Sequence, residues 1–487
     1  MNSKPIPRVA GIKDVARFKE HLASLGVAIP CDHEILHGAS SPLRSPITRG
    51  SITIPNRIAV QPMEGWDGLP DGNPSPNTIR RWQRFGLTGA KLIWGGEAVA
   101  VSHEGRANPN QLVAAPHTEA GLAQLRESLI EQHRAATGSD AGLVIGMQLT
   151  HSGRYCRPNE HHRPEPRILY HHPFLDQRLR LPLDYPVLTD SEIECIIGSF
   201  HRAAAMAARL GFDFVDIKHC HGYLGHEFLS ARSRPGRYGG SFENRTRFLR
   251  EVVQGIRTVA PSLQIGVRLS AFDTIPFRPD PDQGSNGKLG PGIPEAWDSG
   301  VSYNFAFGAN PSNPLEMDLD EPAKFLALLE QLDIRLVNLT AGSPYYCPHI
   351  IRPALFPPSD GYQTPEDPLI GVARQMNAVR TLKQEFPNLI IMGSAYTYLQ
   401  EFLPNVAQAA VGEGWVDCVG LGRMVLTYPE LLWDAMEGRD VARKRVCRTF
   451  SDCTTAPRNG MPSGCYPLDD YYKDSEFAAR VAAAKKH

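Results

Sequence analysis

An α/β chain built as a (β/α)8 TIM barrel with N-terminal and C-terminal extensions is what this sequence predicts, and three observations predict it. Eight short apolar runs recur at Arg57–Met63, Ala90–Ala98, Leu143–Ser152, Phe212–His219, Gln264–Ala271, Ile334–Gly342, Leu389–Tyr396 and Val416–Met424. Each is followed by a helical pattern or a long loop, and near-continuous apolar runs are what parallel strands buried on both faces require. Polar and charged residues gather at the C-terminal ends of the runs, where barrels of this kind carry their chemistry. At 487 residues the chain exceeds the ~250 residues of a plain barrel. The expected organisation is an N-terminal extension over 1–45, a barrel over 46–430 and a C-terminal extension over 431–487.

The elements follow in order. One amphipathic helix is expected around Ile12–Leu25, ahead of the first strand. The helix before the fourth strand is the most legible. Thr189-Asp-Ser-Glu192 has capping-box spacing, Ile193, Ile196, Ile197, Phe200 and Ala204 recur at three and four, and Gly211 stops it. Pro- and Gly-rich segments at 155–186 and 273–315 follow the third and fifth runs, and loops this long are usually functional. They are expected to act as lids over the mouth. Beyond the βα rhythm there is no internal repeat and no low-complexity tract.

Composition narrows the function. A net charge of −1 gives no electrostatic case for nucleic acid or an anionic membrane surface. The expected partner is a small-molecule substrate, with a homo-oligomer left open. Nine cysteines in no dense framework, and a start MNSKPIPRVAG without the basic-then-apolar pattern of a secretory signal, lead us to expect a reduced, cytoplasmic protein. No stretch approaches the roughly eighteen consecutive apolar residues of a membrane span.

The segment 215–248, VDIKHCHGYLGHEFLSARSRPGRYGGSFENRTRF, is the most informative, because it sets Lys218, His221 and Tyr223 just past the fourth run. The third run carries Gln148-Leu-Thr-His151-Ser-Gly153-Arg154 and the fifth Val-Arg268-Leu-Ser; a buried arginine is rare unless paired. The seventh and eighth end in Gly393-Ser394 and Gly420-Leu-Gly422-Arg423, glycines and an arginine suited to phosphate. His151 alone reads equally as a structural hydrogen-bond partner or a ligand contact. The pairs His161-His162 and His171-His172 do not suggest a metal site, since adjacent histidines rarely share one ion.

Over roughly residues 45–430 this ordered set resembles the Old Yellow Enzyme and 2,4-dienoyl-CoA reductase family of FMN-dependent oxidoreductases. Asn56-Arg-Ile-Ala-Val-Gln-Pro62-Met63 is similar to the family's first strand. The resemblance implies an FMN-binding barrel whose cofactor contacts fall at Pro62, Met63, Glu64, Ala98, Gln148, Arg268, Gly393, Ser394, Gly422 and Arg423. Gln148 would meet the flavin pyrimidine and Arg268 the edge that gains negative charge. It further implies catalytic roles for Lys218 and His221, binding a substrate carbonyl, and for Tyr223, donating a proton to carbon. The implied reaction is reduction of an activated C=C bond with NADH or NADPH as electron donor.

Three departures from the family pattern stand out. Lys218 replaces the histidine usual in ene-reductases, and Glu64 occupies a position commonly Thr or Cys. Glu64 would lower the flavin potential, pair with Lys218 or hold a cationic substrate. Cys447-x5-Cys453-x11-Cys465 resembles the iron–sulfur segment of one branch, but Phe450 stands where its second cysteine falls. A [4Fe–4S] cluster normally needs four thiolates, so either the cluster is lost or Cys347 or Cys156 supplies the fourth; inert buried thiols are the favoured reading. No Gly-x-Gly-x-x-Gly follows a strand, and 431–487 is too short for an appended dinucleotide domain, so hydride is expected directly from NAD(P)H. Three other readings stay open: an FMN-dependent dehydrogenase of amines or other substrates, a flavin-free barrel lyase using Lys218 as a Schiff base, and a catalytically dead barrel serving as a binding protein.

Overall fold

The eight apolar runs form one closed parallel barrel. The computed structural model describes residues 6–284 and 288–485. Its strands are β1 (Ile58–Val60), β2 (Leu92–Ile93, resumed at Ala98–Ala100), β3 (Val144–Thr150), β4 (Phe214–Ile217), β5 (Gln264–Ser270), β6 (Leu336–Thr340), β7 (Ile390–Gly393) and β8 (Cys418–Leu421). Neighbours pair in parallel throughout, and Val419 of β8 stands opposite Ile58 of β1, which closes the ring. The single run expected over Ala90–Ala98 is broken at Gly95 and Gly96, both at positive φ. A Cβ on Gly95 would lie 2.6 Å from the backbone N of Gln148, so glycine is what lets β2 press against β3 there.

The crossovers are helical: α1 (Pro76–Gly86), α2 (Glu119–Thr137), α3 (Asp190–Arg209), α4 (Arg247–Val259), α5 (Asp320–Gln331), α6 (Pro368–Glu385) and α7 (Leu403–Gly412). At the start of α3, Thr189 Oγ1 accepts from the Glu192 N–H at 3.2 Å while Glu192 Oε2 accepts from the Thr189 N–H at 2.8 Å. Two orphan donors are thereby satisfied reciprocally. Ile193, Ile196, Ile197 and Phe200 are buried, each contributing roughly 1.5–3 kcal/mol.

The two ends of the barrel differ in polarity. A hairpin, Ile47–Arg49 with Ile52–Ile54, packs its isoleucines against Leu92, Trp94, Phe214 and Leu336 and plugs the N-terminal end with hydrocarbon. At the opposite end the strands finish in Gln148, Lys218, Arg268, Thr340 and Ser394. That end carries the site.

The extensions and lids are more ordered than loops. The N-terminal helix is Val15–Ser24, with Phe18 stacked on Phe402 at 4.3 Å. The segment 155–186 contains the short helix Leu175–Leu179. The segment 273–315 contains the hairpin Phe277–Pro279 with Gly292–Pro294; its residues 285–287 lie outside the described residues. The chain after 430 does not stay clear of the barrel, because Cys453, Thr454, Pro457, Arg458 and Ser463 come back over its mouth. Among the described residues no helix is long and apolar enough to cross a membrane.

Candidate active site

At the C-terminal ends of the strands lies a cavity of about 220 Å3. Ten of the residues singled out in the sequence line it together: Pro62, Met63, Glu64, Gln148, Lys218, His221, Arg268, Ser394, Gly422 and Arg423. Three do not reach its wall. Ala98 is buried behind it, its carbonyl accepting from Gln111 Nε2 at 3.1 Å. Gly393 contributes only a carbonyl, which accepts from Gln61 Nε2 at 3.0 Å. Tyr223 stands one layer back, behind Glu64.

Glu64 organises one side of the cavity. Its Oε1 accepts from Lys218 Nζ at 3.2 Å and from Gln111 Nε2 at 3.4 Å, and its Oε2 accepts from the Tyr223 hydroxyl at 2.7 Å. Of the three roles considered for Glu64, pairing with Lys218 is the one the geometry displays. The Lys218 ammonium also sits 3.9 Å from the centroid of the Tyr223 ring, a favourable cation–π contact. The Tyr223 hydroxyl meets that of Tyr345 at 2.9 Å. Burial, then the Glu64 carboxylate, push Tyr223 well above the ordinary phenol range, so its proton is firmly held at neutral pH.

The loop bearing Glu64 is anchored from beneath. Buried Arg81 of α1 donates to both oxygens of Asp67, at 2.7 and 2.6 Å, and to Glu97 Oε2 at 2.9 Å. Glu97 Oε1 in turn accepts from the Gly65 N–H at 2.7 Å. Burial pushes Glu97 up to about 7. The Ser463 N–H, from the returning C-terminal segment, donates to Asp67 Oδ2 at 3.2 Å. Three elements and the C-terminal extension thus meet on one ionic knot.

On the opposite wall Gln148 Nε2 donates to Asp216 Oδ2 at 2.5 Å, and Asp216 Oδ1 accepts from the Arg268 N–H at 2.6 Å. Burial pushes Asp216 up to about 6. The Arg268 guanidinium has one long contact, Nη1 to the Pro62 carbonyl at 3.3 Å, and its buried Nε has no partner. His221 is held at φ 68°, where its N–H donates to Ser270 Oγ and its carbonyl accepts from Ser343 Oγ. Burial and then the Arg268 and Lys218 charges drive its imidazole well below the usual range. It is neutral at pH 7, and its Nε2 is also without a partner.

The far end of the cavity is cationic. Gln61 Nε2 donates to the Gly393 carbonyl and to Ser394 Oγ, both at 3.0 Å, and Gln61 Oε1 accepts from Asn338 Nδ2 at 2.8 Å. A Cβ on Gly420 would meet Gln61 Nε2 at 2.2 Å, so that close approach needs glycine. Arg423 donates from Nη2 to the Pro353 carbonyl at 3.0 Å and leaves Nη1 unpartnered. Beside it stands Arg352, whose pKa burial and then Arg423 push down. Two like charges held together without a carboxylate call for an anion. Sequence reasoning found Arg423 through its glycines and placed Gln61 within the first-strand motif without giving it a role; it missed Arg352 and Tyr345, whose surroundings carry no local motif.

Five buried polar atoms without partners among the described residues, on Trp66, Arg268, His221, Thr340 and Arg423, therefore belong to residues lining one cavity. Unsatisfied buried groups are rare in proteins, and these fit a ligand with a hydrogen-bonding edge at one end and an anion at the other. An FMN flavin and phosphate have that form.

The cysteine segment is different in kind. Cys447, Cys453 and Cys465 do line one small pocket, which Phe450 shares. Among the described residues no group of three or more His, Cys, Asp or Glu side chains is placed to hold a metal ion. Burial pushes Cys447 up to about 11 and Cys465 up as well, away from the thiolate a metal needs. Cys347 accepts from the Ser343 N–H, and Cys156 is buried in the lid. His151 does not line the cavity; its Nδ1 accepts from the Gly153 N–H at 3.1 Å, and its buried Nε2 has no partner among the described residues.

A polar, cation-rich cavity at the C-terminal face of a parallel barrel defines the class as a barrel built to hold an anionic, hydrogen-bonding ligand. Residues 42–280, just under half of the chain, match the NADH:flavin oxidoreductase / NADH oxidase family. It is 34% identical over 245 residues to an NADPH dehydrogenase of Geobacillus sp. (strain WCH70), an alignment covering 48% of this chain and 64% of that protein. The chain thus spans less than two thirds of that relative's length. Among solved structures, 2-naphthoyl-CoA reductase superposes with a TM-score of 0.65 at 19% identity, over 89% of this chain and 58% of that one. An Old Yellow Enzyme homologue from Zymomonas mobilis superposes with a TM-score of 0.54 at 20% identity, over 84% and 96%. At these identities the superpositions establish the shared barrel fold.

Proposed function

We propose that this chain is an FMN-dependent NAD(P)H oxidoreductase that reduces an activated C=C bond. The observation that carries the reading is the convergence on one cavity of Arg268 with an unpartnered Nε, beside Gln148, and of the cation pair Arg352 and Arg423 at the far end. Arg268 and Gln148 would hold the flavin pyrimidine; Ser394, Gly422, Arg423 and Arg352 would hold the phosphate. When bound, FMN supplies hydride transfer from NAD(P)H to the substrate.

The chain's own residues do the rest. Neutral His221 offers an N–H, and the Lys218 ammonium a charge-assisted one, to the substrate carbonyl. Tyr223 keeps its proton at neutral pH and stands one layer behind the wall, so as acid for the substrate carbon it would act through Glu64 or Tyr345, which line the cavity. Glu64 orients that hydroxyl, and Tyr345, in contact with it and lining the cavity, is placed to return a proton from outside. NADPH is named by the Geobacillus relative, which makes it the first donor to try.

The other readings fit less well. Glu64 is already matched by Lys218, so it offers little to a cationic amine. The Lys218 ammonium is tied to a carboxylate and an aromatic face, the opposite of the isolated amine that Schiff-base formation uses. The test is spectroscopic. Purified protein should carry stoichiometric FMN, its visible band should bleach anaerobically with NADPH, and 2-cyclohexenone should restore it. A colourless protein that takes up no FMN would sink the reading.

A further inference from the structure

Past Trp66, Pro344, Tyr345 and Arg458 the active-site cavity opens into a second, larger one of about 570 Å3, which the reaction above does not use. Its walls come from this chain's long insertions and its returning C-terminal segment. Arg157 and Arg178 lie in the segment 155–186, Arg278 and Glu295 in the segment 273–315, and Arg458 in the C-terminal extension.

The charges there do not balance. Arg178 and Arg278 share Glu295, at 2.7 and 3.3 Å, and Arg458 pairs with Asp360 at 2.5 Å. The Arg157 guanidinium, the fourth, makes no ion pair among the described residues. Four guanidiniums thus face two carboxylates in a concave space, where the field of a surplus charge is focused. The inner cavity does not absorb that surplus. Lys218 has Glu64, and Arg268, Arg352 and Arg423 stand at the positions assigned to FMN. Between the cations the lining is flat and aromatic: Tyr155 stacks on Tyr345 at 3.8 Å and 8°, and Trp66, Phe277 and Tyr362 complete it.

We propose that this vestibule is a second binding subsite, which takes a carboxylate or phosphate ester carried on an aromatic or conjugated substrate. The reacting end of that substrate lies against Lys218 and His221, a placement that rests on the flavin-reductase reading; the anion subsite itself does not. Arginine forks match the planar oxygens of such anions, and the aromatic walls match the conjugated span between anion and reacting end. The insertions hold the forks in place. Arg178 Nη2 donates across the two lids to the Phe277 carbonyl at 2.8 Å, and the Arg157 N–H donates to the Arg106 carbonyl at 2.8 Å.

The test is calorimetric binding of two probes to the protein as purified, cinnamaldehyde and 4-(carboxymethoxy)cinnamaldehyde. At low salt the carboxylate probe should bind about tenfold tighter, an advantage that shrinks as salt is added. Combining Arg157→Gln with Arg278→Gln should erase the difference while leaving FMN content and the Kd for cinnamaldehyde unchanged. Arg157→Gln alone, which breaks no ion pair, should erase part of it. Equal binding of the two probes by the unmodified protein, or a preference that survives the double substitution, overturns the proposal. So does a double variant that loses affinity for NADPH and keeps its preference for the carboxylate probe, since the arginines would then serve the nucleotide. A colourless protein that retains the arginine-dependent preference would sink the flavin reading and leave the subsite standing.

Discussion

Removing the Lys218 ammonium while keeping its bulk, as in Lys218→Met, leaves Glu64 without its charge partner, and the cost follows from the geometry. At 3.2 Å and an effective dielectric near 20, the gross attraction is about 5 kcal/mol. Desolvation cancels much of this, since the lysine side chain is 2% exposed and the glutamate 17%; breaking a buried pair typically costs about 3–5 kcal/mol. Glu64 retains its bonds from Tyr223 and Gln111, which places the expected loss near the lower bound, about 3 kcal/mol. Glu64→Gln keeps the shape and strands the ammonium instead, while the double variant removes both charges. A cycle of the two single variants and the double, measured by urea unfolding, should therefore give a coupling of about 2–3 kcal/mol. The double variant should be more stable than Lys218→Met. A coupling below about 0.5 kcal/mol would show that the pair does not hold Glu64 in place, and the argument for its orienting Tyr223 would fall with it.

The remaining predictions concern the two walls of the cavity. Arg268→Ala should weaken FMN retention and slow bleaching of the visible band by NADPH, with a transition-state cost of about 3 kcal/mol; unchanged FMN content and rate would remove Arg268 from the site. Tyr223→Phe removes only a hydroxyl, so stopped-flow traces should show near-normal bleaching by NADPH but recovery with an activated alkene slowed by about 10²–10⁴-fold. Equal slowing in both phases would leave Tyr223 without an acid role. Asp216 has a folded-state pKa of about 6, above its unfolded value, so the folded protein binds the proton more tightly. Its contribution to stability is greatest below about pH 4 and falls as pH rises toward 6, by roughly 3 kcal/mol. Asp216→Asn should flatten that part of the urea-unfolding profile between pH 4 and 6.5. The opposite slope from His151, which burial pushes down, is common to both proteins. A profile identical in the two proteins would refute the assignment.

Strand number, order and direction were legible in the chain because each buried strand is a local apolar run, and helix α3 was legible because its cap, its periodicity and its stop lie within a few residues of one another. The residues at the strand ends were legible for the same reason: a polar side chain closing an apolar run is conspicuous wherever it falls. What the sequence could not determine is which of these ends meet. Lys218 and Glu64 stand 154 positions apart, and Tyr223 and Tyr345 stand 122 apart; they touch because closure of the barrel in one register brings the ends of β1, β4 and β6 to the same rim. Gly393 falls short of the cavity although Ser394 after it reaches the wall, and Ala98 is buried behind the wall together with Glu97 and Val99 on either side of it. Arg352 and Arg458 belong to the cavity only through tertiary packing: one follows a short helix beyond β6, and the other lies in a C-terminal segment drawn back over the mouth by the buried knot of Asp67, Arg81 and Glu97. Local patterning determined the barrel and its polar rim; long-range packing, which leaves no periodic trace in the chain, decided how the rim became a site.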